Sequence, residues 1–206
     1  VRALNIQHIN DAVMLTDIAV GGKSINCGLF IKPRRIIQPV EPFHASSNWL
    51  QDMTISLLNR TNKTIAFGEL SLFFLDTGDC KSLPCASAII HVGRLPAMDA
   101  YSGNGKPLRV EHPERPELDW KPDERMVISM RDYSDKIEQA VSNLMSVTSV
   151  RNVAVYLSEV LFKDGMRWQS GDYSTPDPDH PGRFKSLPDD FFPGKRGHNW
   201  PPGYDQ

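Results

Sequence analysis

The chain has 206 residues, a formal net charge of −2 and a scatter of Lys and Arg, so it lacks the basic stripe that nucleic acid or an anionic membrane would demand. No apolar run approaches the roughly 20 residues that cross a bilayer as a helix. The length suits one core, and residues 1–206 are expected to form a single domain; the start at Val1 rather than Met fits a mature or trimmed product.

Residues 1–27 hold short alternating apolar groups, Ile6, Val13, Leu15, Ile18 and Val20, which predict one or two edge strands with Gly21-Gly22 as a turn. Pro33, Pro39 and Pro42 each remove a ladder donor, so 28–48 is expected to wander along a sheet edge. Trp49 to Leu58 reads as a strand in which Met53, Ile55 and Leu57 alternate with Thr54 and Ser56, the pattern of one wet face. The polar run from Asn59 to Thr64 then turns the chain into a second strand, Ile65 to Leu75, and the two are expected to form a core hairpin. The apolar phase of the second strand changes from Ile65 and Phe67 to Leu70, Leu72 and Phe74, which predicts a bulge at Gly68-Glu69. Asn59-Arg-Thr61 and Asn62-Lys-Thr64 also match the glycosylation acceptor pattern, read here as a polar turn.

Cys80 and Cys85 fall in a loop of turn formers, where a small disulfide-closed loop and an oxidising compartment are expected. Cys27 reads as a small buried apolar residue. Ala88, Ile90 and Val92 mark a strand near 86–93, followed by a long insertion over 94–123, rich in Pro, Gly and charge, where binding is expected. Met126, Ile128 and Met130 alternate in a further strand after a Lys-Pro-Asp-Glu turn. Asp135 to Met145 switches to helical spacing, with Ile137, Val141 and Leu144 on one face and Asp135 and Glu138 at capping-box spacing. This helix is expected to cross between two sheets.

The strongest strand pattern follows. Val153, Val155, Leu157 and Leu161 share one face and Ala154, Tyr156, Val160 and Phe162 the other, and Asp164-Gly165 predicts a type I′ turn folding Met166 to Trp168 back on the strand. Residues 169–206 are polar and proline-rich and read as an irregular C-terminal strap. Strands separated by turn signals and a lone helix predict a mainly β fold, an antiparallel immunoglobulin-like β-sandwich with one short helix and long irregular loops.

Candidate sites are few. Trp120, Trp168 and Tyr173 lie in loops or at strand ends, where a ring can stack on a ligand or cover the end of a core. Asp172, Asp177 and Asp179, with Asp164 nearby, supply the oxygens that Ca²⁺ prefers, although the spacing lacks the glycine and glutamate of a calcium loop and equally suits a solvated turn. The six histidines are dispersed, there is no Gly-x-Ser-x-Gly elbow, and Gly103 to Pro107 fails as a phosphate loop. No catalytic residue is singled out.

Trp49-Leu50, Asn59 to Ile65, Leu70 to Phe74, and Val160 to Trp168 with Gly171 and an Asp-Pro tail together resemble a group of uncharacterised exported bacterial proteins with an immunoglobulin-like sandwich. The resemblance runs from about residue 45 to about 185, leaving out the 94–123 insertion and the tail beyond Phe184. It implies an extracytoplasmic setting, whether periplasmic, secreted or at the cell surface, and it implies no reaction. The expectation is a non-enzymatic interaction or structural module with a protein or glycan partner and no nucleic acid. The alternative is a carbohydrate- or small-ligand-binding domain, calcium-assisted.

Overall fold

The computed structural model describes residues 1–8, 10–32, 35–77, 86–94, 99–101, 107–109, 116–180 and 183–194. Among these the chain is mainly β with one short helix. In chain order the strands are β1 (Arg2–His8), β2 (Val13–Val20), β3 (Lys23–Ser24), β4 (Gly28–Lys32), β5 (Arg35–Gln38), β6 (Met53–Asn59), β7 (Ile65–Phe74), β8 (Ser87–Val92), β9 (Asp99–Tyr101), β10 (Pro107–Arg109) and β11 (Arg125–Ser129). The helix α1 (Ser134–Val141) follows, then β12 (Asn152–Phe162), β13 (Arg167–Gln169), β14 (Asp172–Pro176) and β15 (Phe184–Ser186).

β12 is the organising strand. Along one edge it pairs with β7, which in turn pairs with β8. Its other edge is shared between two branches: Asn152 to Tyr156 pair with β1, and Glu159 to Leu161 pair with β13. β1 leads on to β4 and β5, and β13 leads on to β14 and β15, so the larger sheet forks where β1 ends and β13 begins. A smaller antiparallel sheet runs β11-β6-β2-β3, and β9 and β10 form a ribbon of their own. Both larger sheets and α1 contribute to one buried apolar cluster, with Val153, Val155 and Leu72 on one side and Met53, Ile55 and Ile18 on the other.

Several local expectations shift. β1 is central rather than an edge strand, and it runs parallel to both β12 and β4, so the larger sheet is mixed rather than antiparallel. Alternation fixes which residues share a face and is silent on strand direction. β4 forms within the proline-broken segment because Gly28 to Lys32 precede Pro33. β6 and β7 do not form a hairpin: they belong to different sheets. The polar run between them is a knot on Asn59, whose amide N–H groups donate to Lys63 O and Trp120 O while its Oδ1 accepts from Thr61 N–H and Oγ1–H. With the chain held this way, Asn59 is fully buried and the strand leaves toward the second sheet.

The bulge also moves. β12 carries the extra residue, Ser158, opposite Glu69 and Leu70, and a second shift leaves Ala66 of β7 unmatched. Past Ser158 the faces of β12 exchange, so Val160 and Phe162 continue the core side of Val153, Val155 and Leu157, and Leu161 joins the side of Ala154 and Tyr156. The following turn is three residues long. Gly165 N–H donates to Phe162 O, Phe162 N–H donates to Met166 O, and only Gly165 (φ +86°) has positive φ, which makes a type I turn with a glycine bulge instead of type I′. α1 starts from a 3-10 turn at Met130–Tyr133 and has no side-chain cap, and it ends at Val141, leaving Leu144 exposed. Among the described residues after Trp168 the chain is more regular than a strap, since Trp168 pairs with Tyr173 and Thr175 with Lys185.

Candidate functional site

The fork in the larger sheet gathers side chains far apart in sequence. His8 closes β1, Tyr156 sits in β12 two residues before the bulge, and Ser170 lies in the turn from β13 to β14. His8 Nε2 and the Tyr156 hydroxyl are hydrogen-bonded at 3.0 Å, and the Ser170 side chain lies near the same hydroxyl. Burial raises the Tyr156 phenol above its ordinary range; the nearby Ser170 side chain opposes this, while the charges of Asp11 and Asp172 add to it. Tyr156 is therefore held as the neutral hydroxyl, able to donate and accept.

The backbone around this group is unusually constrained. Ser170 has φ +53° and Gly171 φ +106°, the two positive angles of a tight hairpin turn. A Cβ on Gly171 would stand 2.9 Å from His8 Nδ1, so glycine is what lets the turn lie against the imidazole. Ser170 N–H donates to Ser158 O, tying the turn to the bulge. Bulges concentrate beside functional sites because they re-aim side chains.

From the fork a polar row crosses the same face. The hydroxyls of Ser71 and Ser158 lie 2.6 Å apart. His91 Nε2 is 3.1 Å from Glu69 Oε2, and Arg167 Nη1 is 3.8 Å from Glu159 Oε1. Glu69 and Glu159 are direct cross-strand partners, a repulsive pairing that the flanking His91 and Arg167 offset. Burial raises the Glu159 carboxyl, Arg167 partly restores it, and Glu69 raises it further. Arg167 also lies over the Phe184 ring at 4.2 Å. Phe73 and Tyr156, both half-buried, have ring centroids 6.4 Å apart beside the serine pair.

The core side holds a second polar group. Asp11, Arg60 and Tyr173 are buried together and interact electrostatically. Burial lowers the Arg60 guanidinium against the pull of Asp11 and Tyr173, and burial with Asp11 drives the Tyr173 phenol well above its ordinary range. The chain from Phe191 to Gly194 closes over this group: Phe191 meets Tyr173 edge-on at 5.6 Å, Arg60 lies over Phe192 at 5.4 Å, and Asn62 N–H donates to Pro193 O. Nearby, Asn5, Gln7 and Asp11 line a cavity of about 10 Å³, the room a single water needs.

The residues nominated from sequence fare unevenly. Trp120, Trp168 and Tyr173 are at most 3% exposed and serve the core, so they offer no ring face to a ligand. Trp120 N–H and O pair with Ile65, and its indole N–H donates to Glu124 O. Asp177 accepts from Asp179 N–H and bonds His180 Nδ1 at 2.9 Å, a self-contained turn, while Asp172 opens β14 beside the fork. Asp164 is paired with Lys63. Among the described residues no three His, Cys, Asp or Glu side chains are grouped to hold a metal. Cys80 and Cys85 lie outside the described residues, as does half of 94–123. Among the described residues no helix is long and apolar enough to cross a membrane. Sequence reasoning missed His8, Ser170 and the buried Asp11 and Arg60; the Ser170-Gly171 dipeptide was the one local signal, since Ser-Gly marks a turn.

Comparison of the chain with protein-family models, with curated proteins and with solved structures gives no match.

Proposed function

We propose that this chain is a non-enzymatic recognition module of an exported bacterial protein, an immunoglobulin-like β-sandwich that binds its partner through the outer face of the larger sheet at the fork. The sandwich reading is supported by the two sheets burying one common cluster. The extracytoplasmic setting rests on the sequence resemblance alone.

One observation carries the binding reading: a half-exposed row of hydroxyl, carboxylate, imidazole and aromatic groups runs across β8, β7, β12 and β1, on the face turned away from the core. Sheet faces that only cover a core alternate apolar-in with scattered solvated charge, whereas here the polar groups are organised by a bulge and a strained turn. The reading is non-enzymatic because the charged groups of the row are already matched, Glu69 with His91 and Glu159 with Arg167.

The test is capture from a native envelope extract by wild-type protein and by Ile89→Arg, which alters an exposed position in the row. Loss of the captured partner in the variant, with an unchanged melting temperature, is the expected result. Equal capture by both would remove the outer face from consideration.

A further inference from the structure

Resting on that reading of the outer face, we infer that the fork takes a neutral saccharide. The chemistry of the groups present selects this ligand class. Ser71, Ser158, Ser170 and Tyr156 contribute hydroxyls, each able to donate one hydrogen bond and accept others, and His8 adds a ring nitrogen that does either according to tautomer. Vicinal hydroxyls of a sugar have the same dual character, so they can insert into such a chain by exchanging partners rather than by stripping a charge of its hydration.

Two rings flank the hydroxyls. Phe73 and Tyr156, tilted by 44° with half-buried faces, present apolar surface against which the C–H face of a pyranose packs. The charge around the site argues against the other polar ligands. Glu69, Glu159 and Asp172 border it, and both Asp172 and Asp11 act unfavourably on negative charge at Tyr156. Phosphate, sulfate or uronate groups would meet that field, and the Arg167 guanidinium beside it is engaged with Glu159. A cationic ligand would compete with His91 and Arg167 for the same carboxylates. A neutral polyol avoids both conflicts.

The arrangement also explains why the turn is strained. Ser170 at φ +53° and Gly171 pressed on His8 bring groups from two strands, His8 and Tyr156, together with a turn at one point. Strain of this kind persists where the surrounding structure holds it and is concentrated at ligand sites.

Isothermal titration of the purified chain with soluble gluco-, xylo- and manno-oligosaccharides, and with oligouronates of the same length, tests the inference. A neutral class should bind, and Tyr156→Phe, which keeps the ring and removes the hydroxyl, should weaken it about tenfold, the loss of one or two hydrogen bonds. Ser71→Ala is the second variant, with a smaller loss expected and the same direction. Oligouronate binding as tight as neutral binding would overturn the charge argument. Neutral binding undiminished in both variants would overturn the site. If no saccharide binds while Ile89→Arg still abolishes partner capture, the saccharide inference fails and the binding face stands; if Ile89→Arg also captures normally, both fail.

Discussion

Asp11, Arg60 and Tyr173 are 1%, 4% and 3% exposed on the core side of the larger sheet, whereas Ser71, Ser158 and Tyr156 on its opposite side keep partial contact with water. Both groups are polar and both lean on β12 and β13, yet they are built differently. The enclosed group joins full charges under a segment of chain that closes over it. The half-open group at the fork is built of neutral hydroxyls, with its charges set at the border. Buried charge is costly to leave unmatched, so the first arrangement fixes architecture. Hydroxyls at the surface exchange partners at little cost, so the second can change its bonds when something binds. A single residue, Ser158, keeps the two apart, because the bulge decides which face the rest of β12 presents.

The most drastic way to break this separation is to delete Ser158. Without the extra residue Glu159 follows Leu157 as Glu69 follows Leu70, so Glu159 stays outward and Val160 and Phe162 stay in the core, while the hydroxyl partner of Ser71 and the acceptor of Ser170 N–H are lost. Thermal unfolding read by circular dichroism should stay cooperative, and binding at the fork should be lost. A deletion variant that no longer melts in one transition would mean that the core depends on the bulge as much as the fork does.

Next in size is Arg60→Met. It leaves the Asp11 carboxylate in the core without its cation, and breaking a buried pair from one side costs about 3–5 kcal/mol. Urea denaturation should show this loss, and adding Asp11→Leu should recover part of it. If Arg60→Met alone unfolds like the wild type, Asp11 has another means of neutralisation, and the enclosed group no longer explains how the segment Phe191 to Gly194 is held.

The contrast between the two groups also marks the limit of what could be read from the chain alone. Alternation placed β7, β8, β11 and β12, and β6 from Met53 onward, because one face of each must be apolar; Trp49 to Asp52, expected in β6, form a turn instead. It also detected a phase change in the middle of the sheet. It assigned the extra residue to β7 because the apolar pattern there breaks visibly, while Val160, Leu161 and Phe162 are all apolar and conceal the exchange of faces in β12. The parallel entry of β1 was hidden because side-chain alternation is the same in either direction. Asp11 and Arg60 sit in polar segments and look like surface residues until tertiary folding buries them. His8 and Ser170 meet only through the fork, a feature of topology with no local sequence pattern behind it.

Gly171→Ala probes the fork more gently. The substitution requires φ +106° of a residue with a Cβ and pushes it against His8, at a cost of about 1–3 kcal/mol. Gly165→Val, at φ +86° with Pro176 Cγ as the nearest neighbour at 3.3 Å, should cost at least about 1 kcal/mol and leave the fork intact. Differential scanning calorimetry of the two, with saccharide titration alongside, separates backbone strain from site geometry: only Gly171→Ala should impair binding. Equal binding by both variants would show that His8 need not be held where it is.

A smaller effect lies in the polar row. The Glu159 carboxyl is raised above its unfolded value, first by burial and then by Glu69, so the folded state holds its proton more tightly than the unfolded state does. Stability from this group therefore falls as pH rises from the ordinary glutamate range through the raised value, and it is highest below that window. Glu159→Gln should flatten the decline in urea midpoint across the window. A decline of unchanged slope in the variant would assign it to other groups.

The smallest effect is expected at the turn from Asp177 to His180. His180 and the Asp179 N–H hold the Asp177 carboxyl below its ordinary range, with the side chain 20% exposed. Its carboxylate already has partners within the turn, and Asp172 lies instead at the fork, so calcium would have to displace existing bonds and draw ligands from elsewhere. Thermal-shift measurements with calcium and with chelator should coincide, and Asp177→Asn with Asp179→Asn should leave the melting temperature unchanged. A stabilisation by calcium that the double variant abolishes would reverse the comparison with which the two polar groups were distinguished: charge would then be open to solvent and exchangeable, and the fork would lose its claim to be the place where this chain meets its ligand.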